Sequence, residues 1–198
     1  VDTVFLNPYK EMIQDKKILQ NWFNNAIKDD EEVYLIGHSL GGDLARFLSS
    51  RSPKVTKLIL LDGGYLNLDE IMPLENELEA AKAYFDQHTF TNLEEVIANE
   101  KAQSYYWSEN LEEALKNSYR YNSALEKFEL DLDFEKVSYL LELRRVIRSY
   151  QRNLKSKNVL FIAPAYDKEP EWRKISLDKL PQYFDVELLK NCGHEMYM

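Results

Sequence analysis

Apolar residues along this chain change period several times, and the changes mark its elements. Val33, Leu35 and Ile36 form a short apolar run, which predicts a buried strand over Val33–Ile36. A helical pattern takes over within a few residues, in Asp43-Leu44-Ala45-Arg46-Phe47-Leu48, and predicts a helix over Asp43–Ser50 stopped by Ser52-Pro53. Val55–Leu61 reads as the next strand and Val159–Ala163, bounded by Pro164, as another. A helix near Trp172–Leu180 then leads to a last strand over Phe184–Leu189. Upstream, Tyr9–Lys28 puts Met12, Leu19, Trp22, Phe23 and Ala26 on one face and predicts an amphipathic helix, while Val1–Leu6 holds at most one short strand. Strands alternating with helices predict an α/β domain with a mostly parallel sheet.

Between Leu66 and Tyr150 the strand pattern vanishes and helix signals replace it. Thr91-Asn92-Leu93-Glu94 and Asn110-Leu111-Glu112-Glu113 look like capped helix starts, and Phe134, Val137, Leu140, Leu141, Ile147 and Tyr150 recur at helical spacing. The expected division is therefore residues 1–66 and 151–198 as one α/β core, with 67–150 as a helical insertion. Charge sharpens that division. Asn67–Glu135 carries 17 acidic residues against 5 basic ones, whereas the whole chain is at −9, so the acidity belongs to the insertion. Two readings of it stay open: solvated helix faces, or a field that favours cationic or amine-bearing substrates over anionic ones. Tyr105, Tyr106, Trp107, Tyr119 and Tyr121 suggest an aromatic cluster, read either as core packing or as a binding wall.

With 198 residues and 44% hydrophobic content the chain can bury a single core. No run reaches the length of a membrane span. The acidic balance argues against nucleic acid as a partner, because phosphate binding draws on lysine and arginine. Cys192 is the only cysteine, which excludes an internal disulfide and points to a reducing, cytoplasmic setting. No cysteine–histidine spacing suits a metal, and nothing calls for a cofactor.

The candidate chemistry lies where the first strand meets the first core helix, in Gly37-His38-Ser39-Leu40-Gly41-Gly42. Strand, G-x-S-x-G, helix is the context of a nucleophile elbow, a turn so sharp that the serine hydroxyl projects clear of the sheet. Gly37 and Gly41, two before and two after the serine, are expected to be glycine because neighbouring chain comes close there. Serine chemistry needs a base within reach and a carboxylate to orient it, in the chain order serine, acid, histidine. Of the three histidines, His38 adjoins the serine and is expected to point away from it, and His88 lies in the acidic insertion. His194, in Asn191-Cys192-Gly193-His194-Glu195 after the last strand, is the expected base. Asp167, in the loop Ala165-Tyr166-Asp167-Lys168-Glu169-Pro170, is the preferred acid; Asp62, at the end of Val55–Leu61, competes with it, and Glu169 is a third option.

Taken together, the Ser39 elbow, the strand ending in Leu61-Asp62-Gly63-Gly64, the Asp167 loop and Gly193-His194-Glu195 resemble the α/β-hydrolase fold superfamily. The resemblance implies Ser39 as nucleophile, His194 as general base, Asp167 as orienting acid and the Leu40 N–H as one oxyanion donor, with residues 67–150 as a lid or cap. The resemblance does not fix the substrate, since this fold hosts many chemistries; the first expectation is a small-molecule ester or amide substrate, foremost a small, largely uncharged ester cleaved by a carboxylesterase. Amide cleavage of aminopeptidase type and carbon–carbon bond hydrolysis are the alternatives within catalysis, and a non-catalytic hydrolase-fold binding module is the alternative outside it. One departure stands out. Nothing upstream of Ser39 resembles the His-Gly loop whose N–H completes the oxyanion hole in the family, and the sheet is expected to be incomplete on its N-terminal side, with the elbow strand at an open edge. The expectation is a part of a larger fold whose remaining portion has been removed, lies outside this sequence, or is supplied by another segment or chain.

Overall fold

The computed structural model describes residues 2–104, 106–150, 154 and 157–195. Its framework is a parallel sheet of four strands: β1 (Val33–His38), β2 (Val55–Leu61), β6 (Asn158–Pro164) and β7 (Asp185–Leu189), side by side in that order. The registers His38↔Leu61, Leu61↔Ile162 and Pro164↔Leu189 bring the carboxyl ends of all four strands to one rim. In an open α/β sheet that rim is where loops can gather side chains from distant segments. β1 forms one edge, with Tyr34 49% and Ile36 59% exposed, as the reading of an open elbow strand anticipated. β7 forms the other edge and is exposed throughout.

Two apolar clusters hold the sheet. In the first, α2 (Leu40–Arg51) sends Leu44, Phe47 and Leu48 against Leu19 and Phe23 of α1 (Lys16–Ala26) and against Leu140 and Ile147 of α7 (Phe134–Arg148). The second joins Leu58 and Leu60 of β2 to Val159, Phe161 and Ala163 of β6, closed by Tyr65, Leu154 and Phe184. α1 starts later than the apolar pattern suggested. Asp15 accepts hydrogen bonds from the Lys17 and Ile18 amides and so fixes the helix start, while Pro8–Lys10 is a separate 3₁₀ turn.

The segment between β2 and β6 holds α3 (Leu68–Ile71), α4 (Leu74–Gln87), α5 (Leu93–Gln103), α6 (Glu109–Lys116) and α7. It also holds what the sequence reading missed, an antiparallel sheet of β3 (Thr89–Phe90), β5 (Lys127–Leu130) and β4 (Tyr119–Asn122). Strands of two to four residues are too short for a periodic signal. Their marker is the turn at 123–126, where Asn122 Oδ1 accepts from the Ala124 and Leu125 amides and Glu126 takes φ 52°. The helix starts fall close to their expected places. Asn92 caps α5 with Glu95 reaching back to the Thr91 amide, and Ser108, not Asn110, caps α6.

No aromatic cluster of the expected kind forms among the described residues. Tyr119 is buried with Val96 and Leu130 in a small core of its own, Tyr106 and Tyr121 are exposed, and Tyr105 lies outside the described residues. α7, grouped with the insertion by sequence, packs on α2 and belongs to the main core. Among the described residues no helix is long and apolar enough to cross a membrane.

That assignment of α7 has a measurable consequence. Leu140 is 0% exposed at the α2–α7 contact. Leu140→Ala should destabilise the whole molecule by about 2–5 kcal/mol, read as one cooperative urea transition moved to lower denaturant. Loss of the insertion alone, with the sheet intact, would contradict the placement.

Candidate active site

Ser39 stands alone between the last residue of β1 and the first of α2, so a single residue makes the turn. It does so at φ 52°, ψ −125°, a conformation that costs on the order of 1–3 kcal/mol for a residue with a Cβ. Two hydrogen bonds hold it there: the Ser39 amide donates to the Leu61 carbonyl at 3.0 Å, and the Gly42 amide donates to the Ser39 carbonyl at 2.9 Å. The side chain does not cap α2, which leaves the hydroxyl uncommitted to the helix.

Space at this turn is set by glycines, though not by the pair expected. A Cβ on Gly37 would lie 2.4 Å from the Gly41 carbonyl oxygen, whereas a Cβ on Gly41 would meet nothing within 4 Å. Gly41 contributes its backbone to the close approach, so its own side-chain position is open. The second tight glycine is Gly63, where a Cβ would lie 2.2 Å from the Ser39 carbonyl oxygen, and Gly42 abuts the Gly63 backbone in the same way. The strand-end turns of β1 and β2 therefore press backbone against backbone. Asp62, between them, is itself at φ 40°.

His194 meets Asp62, not Asp167. Its Nδ1 lies 2.8 Å from Asp62 Oδ2. Asp62 follows β2 directly and sits one strand over from Ser39, whereas Asp167 is exposed on the loop beyond the end of β6. The same loop's Glu169, the third option, pairs with Arg173 instead. Ser39, Asp62 and His194 line one cavity of about 350 Å³, together with Asp43, Arg144 and Trp172. The hydrogen bond that its Nδ1–H donates to Asp62 holds the His194 imidazole above its ordinary pKa, against an opposing effect of burial. Burial pushes Asp62 up, but the His194 bond and the Arg173 charge outweigh it and keep the carboxyl below its usual range.

Several residues at the site carried no signal of their own in the sequence. His38, expected to point away, turns to the base: its Nε2 is 2.9 Å from the His194 carbonyl oxygen and 3.9 Å from Glu195 Oε2. Its imidazole centroid is 4.7 Å from that of His194. His38, His194 and Glu195 also form the one group of metal-capable side chains among the described residues, with donor atoms within 4.8 Å of one another. Both imidazoles already hold hydrogen-bond partners there. Asp43, one helical turn past Ser39, is pushed up to about 6 by burial, against the charges of Arg144, Arg148 and Arg46. His88 lies outside this site, with Nδ1 2.7 Å from the Tyr84 carbonyl oxygen and Nε2 facing Glu100.

Strand, strained serine, helix, and an Asp–His pair from later loops on the same rim define an α/β-hydrolase architecture, and the comparisons agree. The family profile for the alpha/beta hydrolase fold matches residues 11–197, so the chain belongs to that family. Three solved structures illustrate the likeness. E-2-(acetamidomethylene)succinate hydrolase has a TM-score of 0.65 at 13% identity, over 91% of this chain and 67% of the other. The thioesterase domain from the curacin biosynthetic pathway gives 0.63 at 17%, over 94% and 71%. An alpha/beta hydrolase from Novosphingobium aromaticivorans gives 0.58 at 18%, over 95% and 67%. At such identities the likeness is one of fold. No curated protein matches the chain in sequence.

The glycine geometry separates two substitutions that sequence alone would treat alike. Gly63→Ala should displace the elbow and cost about 1–3 kcal/mol, because the atoms its Cβ would meet all belong to the Ser39 backbone. Gly41→Ala should range from neutral to about 1 kcal/mol stabilising, since it removes a helix glycine at no steric cost. Thermal melts of the two variants decide the matter, and equal destabilisation would contradict the packing described.

Proposed function

We propose that the protein is a serine hydrolase acting on a small, largely uncharged carboxylic ester through an acyl-enzyme, with Ser39 as nucleophile, His194 as general base and Asp62 as orienting acid. The observation that carries this reading is the 2.8 Å Asp62–His194 pair on the cavity that Ser39 also lines. Ser39 Oγ attacks the carbonyl carbon while its proton passes to His194 Nε2, and Asp62 at Nδ1 stabilises the imidazolium. The intermediate collapses, His194 returns the proton to the departing alkoxide, and a water deprotonated by His194 then releases the acid.

The Leu40 amide, at the first position of α2, is the proposed oxyanion donor, helped by the positive end of the helix. A second donor would come from strands that pair with the open β1 edge in the active molecule, supported by the exposed Tyr34 and Ile36. One missing donor costs about 10²–10³ in turnover. The insertion after β2 is the proposed cap, and Leu68 of its α3 lines the cavity. Two proteins alike in fold are named as a hydrolase and a thioesterase domain.

Labelling with a fluorophosphonate and hydrolysis of a p-nitrophenyl ester test the assignment. Ser39→Ala should abolish labelling. Asp62→Asn should lower kcat by about 10⁴, as loss of an orienting carboxylate does, while Asp167→Asn should leave it near wild type; the reverse ranking would restore Asp167 as the acid. The base works only when neutral and its pKa is raised by Asp62, so kcat/KM should climb with pH through a limb above the ordinary histidine value of 6.5. A limb at or below that value would count against the pair as the working base.

A further inference from the structure

Arg173, the third residue of α8 (Glu171–Asp178), is only 2% exposed, and a guanidinium buried to that degree is costly unless its donors are matched. Its partners come from the ends of two strands, β2 and β6. Nη2 donates to the Pro164 carbonyl at 2.8 Å, at the close of β6, and lies 3.4 Å from Asp62 Oδ1. Nη1 pairs with Glu169 in the β6–α8 loop. Nε donates to the Tyr65 hydroxyl at 3.1 Å, and that hydroxyl donates onward to Asp62 Oδ1 at 3.2 Å. The guanidinium also lies over the Tyr166 ring, 4.7 Å from its centre.

We propose that Arg173, through Tyr65, is a positioning residue that fixes the Asp62 carboxylate so that Oδ2 alone is offered to His194. The proposal rests on the assignment of Asp62 as the orienting acid. Oδ1 is taken by the Tyr65 hydroxyl and faced by Arg173, so the carboxylate is held against rotation about its terminal bond, a torsion that is otherwise soft. Burial and the nearby Asp62 charge raise the Tyr65 pKa, which keeps its hydroxyl a donor.

The charges also balance in a way that suits the reaction. A lone Arg173 would cancel Asp62 and weaken its hold on an imidazolium. Glu169 offsets Arg173, so Asp62, Glu169 and Arg173 together carry one negative charge, and the cluster becomes neutral when His194 takes the serine proton. Two loops thus serve one carboxylate. The β6–α8 loop, where the acid was first sought, supplies instead the groups that hold the cation in place. Lysine could restore the charge of Arg173 but not the fork that reaches Tyr65, Pro164 and Glu169 at once.

Variants Arg173→Met, Arg173→Lys and Tyr65→Phe test this by two measurements: the pH titration of the His194 imidazole by NMR, and the pH profile of ester hydrolysis. Arg173 lowers the His194 pKa by its charge, so its loss in Arg173→Met should raise that pKa and carry the acid limb of kcat/KM upward. A move of one pH unit lowers the rate roughly tenfold at any pH below the limb. Arg173→Lys should keep the titration near wild type while kcat falls and KM holds, because charge survives and orientation does not. Tyr65→Phe should lower kcat in the same way. If Arg173→Met folds and leaves both titration and kcat unchanged, the proposal is wrong. Should it fail to fold, Arg173→Lys and Tyr65→Phe decide, and wild-type kcat in both overturns it. The NMR titration needs no substrate, so a chain that fails to label at Ser39 would sink the hydrolase reading while the effect of Arg173 on His194 is still read directly.

Discussion

The site depends on two backbones in contact. Parallel pairing of β1 with β2 sets His38 opposite Leu61, and the next residue on each strand is then Ser39 and Asp62. Both take positive φ, and the turns that carry them touch where Gly63 lies against the Ser39 carbonyl. The strain at Ser39 is sustained because its amide and carbonyl are both bonded and there is no room for the turn to relax. The proposed nucleophile and acid are thus spaced by sheet register, a rigid quantity. His194, the proposed base, arrives on the loop five residues past β7, and it is received by Asp62 on one side and by His38 at its carbonyl on the other.

Arginines do much of the remaining work at this rim. Arg46 donates to the Gly64 carbonyl and Arg148 to the Leu66 carbonyl, so the chain leaving Asp62 is held from α2 and from α7. Glu77 of α4 is buried between Arg144 and Arg145, and Arg145 also reaches Asp69 and the Met72 carbonyl. The acidic excess of the insertion is therefore not uniform. Most of it is solvated, but Glu77 and Asp69 hold α3 and α4 onto α7, which belongs to the main core. Such pairs fix relative placement more surely than they add stability, since desolvation offsets much of the attraction.

The framework was legible in the sequence because it is made of long, regular signals. Val55–Leu61 is bounded in the structure as its apolar run suggests, and the strands ending at His38 and Pro164 differ from expectation by a residue or two. That Ser39 and His194 would reach one rim was legible as well, each from a short motif at a strand end, and both line the same cavity. What escaped depends on contacts that periodicity does not encode. The three-stranded sheet has strands too short to show alternation, and its one marker was a turn asparagine. Gly41 looked indispensable by position, yet the Cβ-sized space beside it is open, and the crowded glycine is Gly63, outside the motif.

The choice between Asp62 and Asp167 shows where the limit lies. Both follow strands, both lie between serine and histidine in the chain, and a one-dimensional reading had no distance with which to separate them. The separating facts are three-dimensional. Asp62 follows the strand paired with the one that leads to Ser39, and a buried tyrosine and arginine offer donors to its second oxygen. Asp167 sits exposed on the loop after β6. A carboxylate that must stay ionised and aimed in a partly buried site needs donors on both oxygens. The sequence did contain that requirement, as Tyr65 three residues after one candidate and Arg173 on the helix after the other, but only the fold brings the two to the same carboxylate.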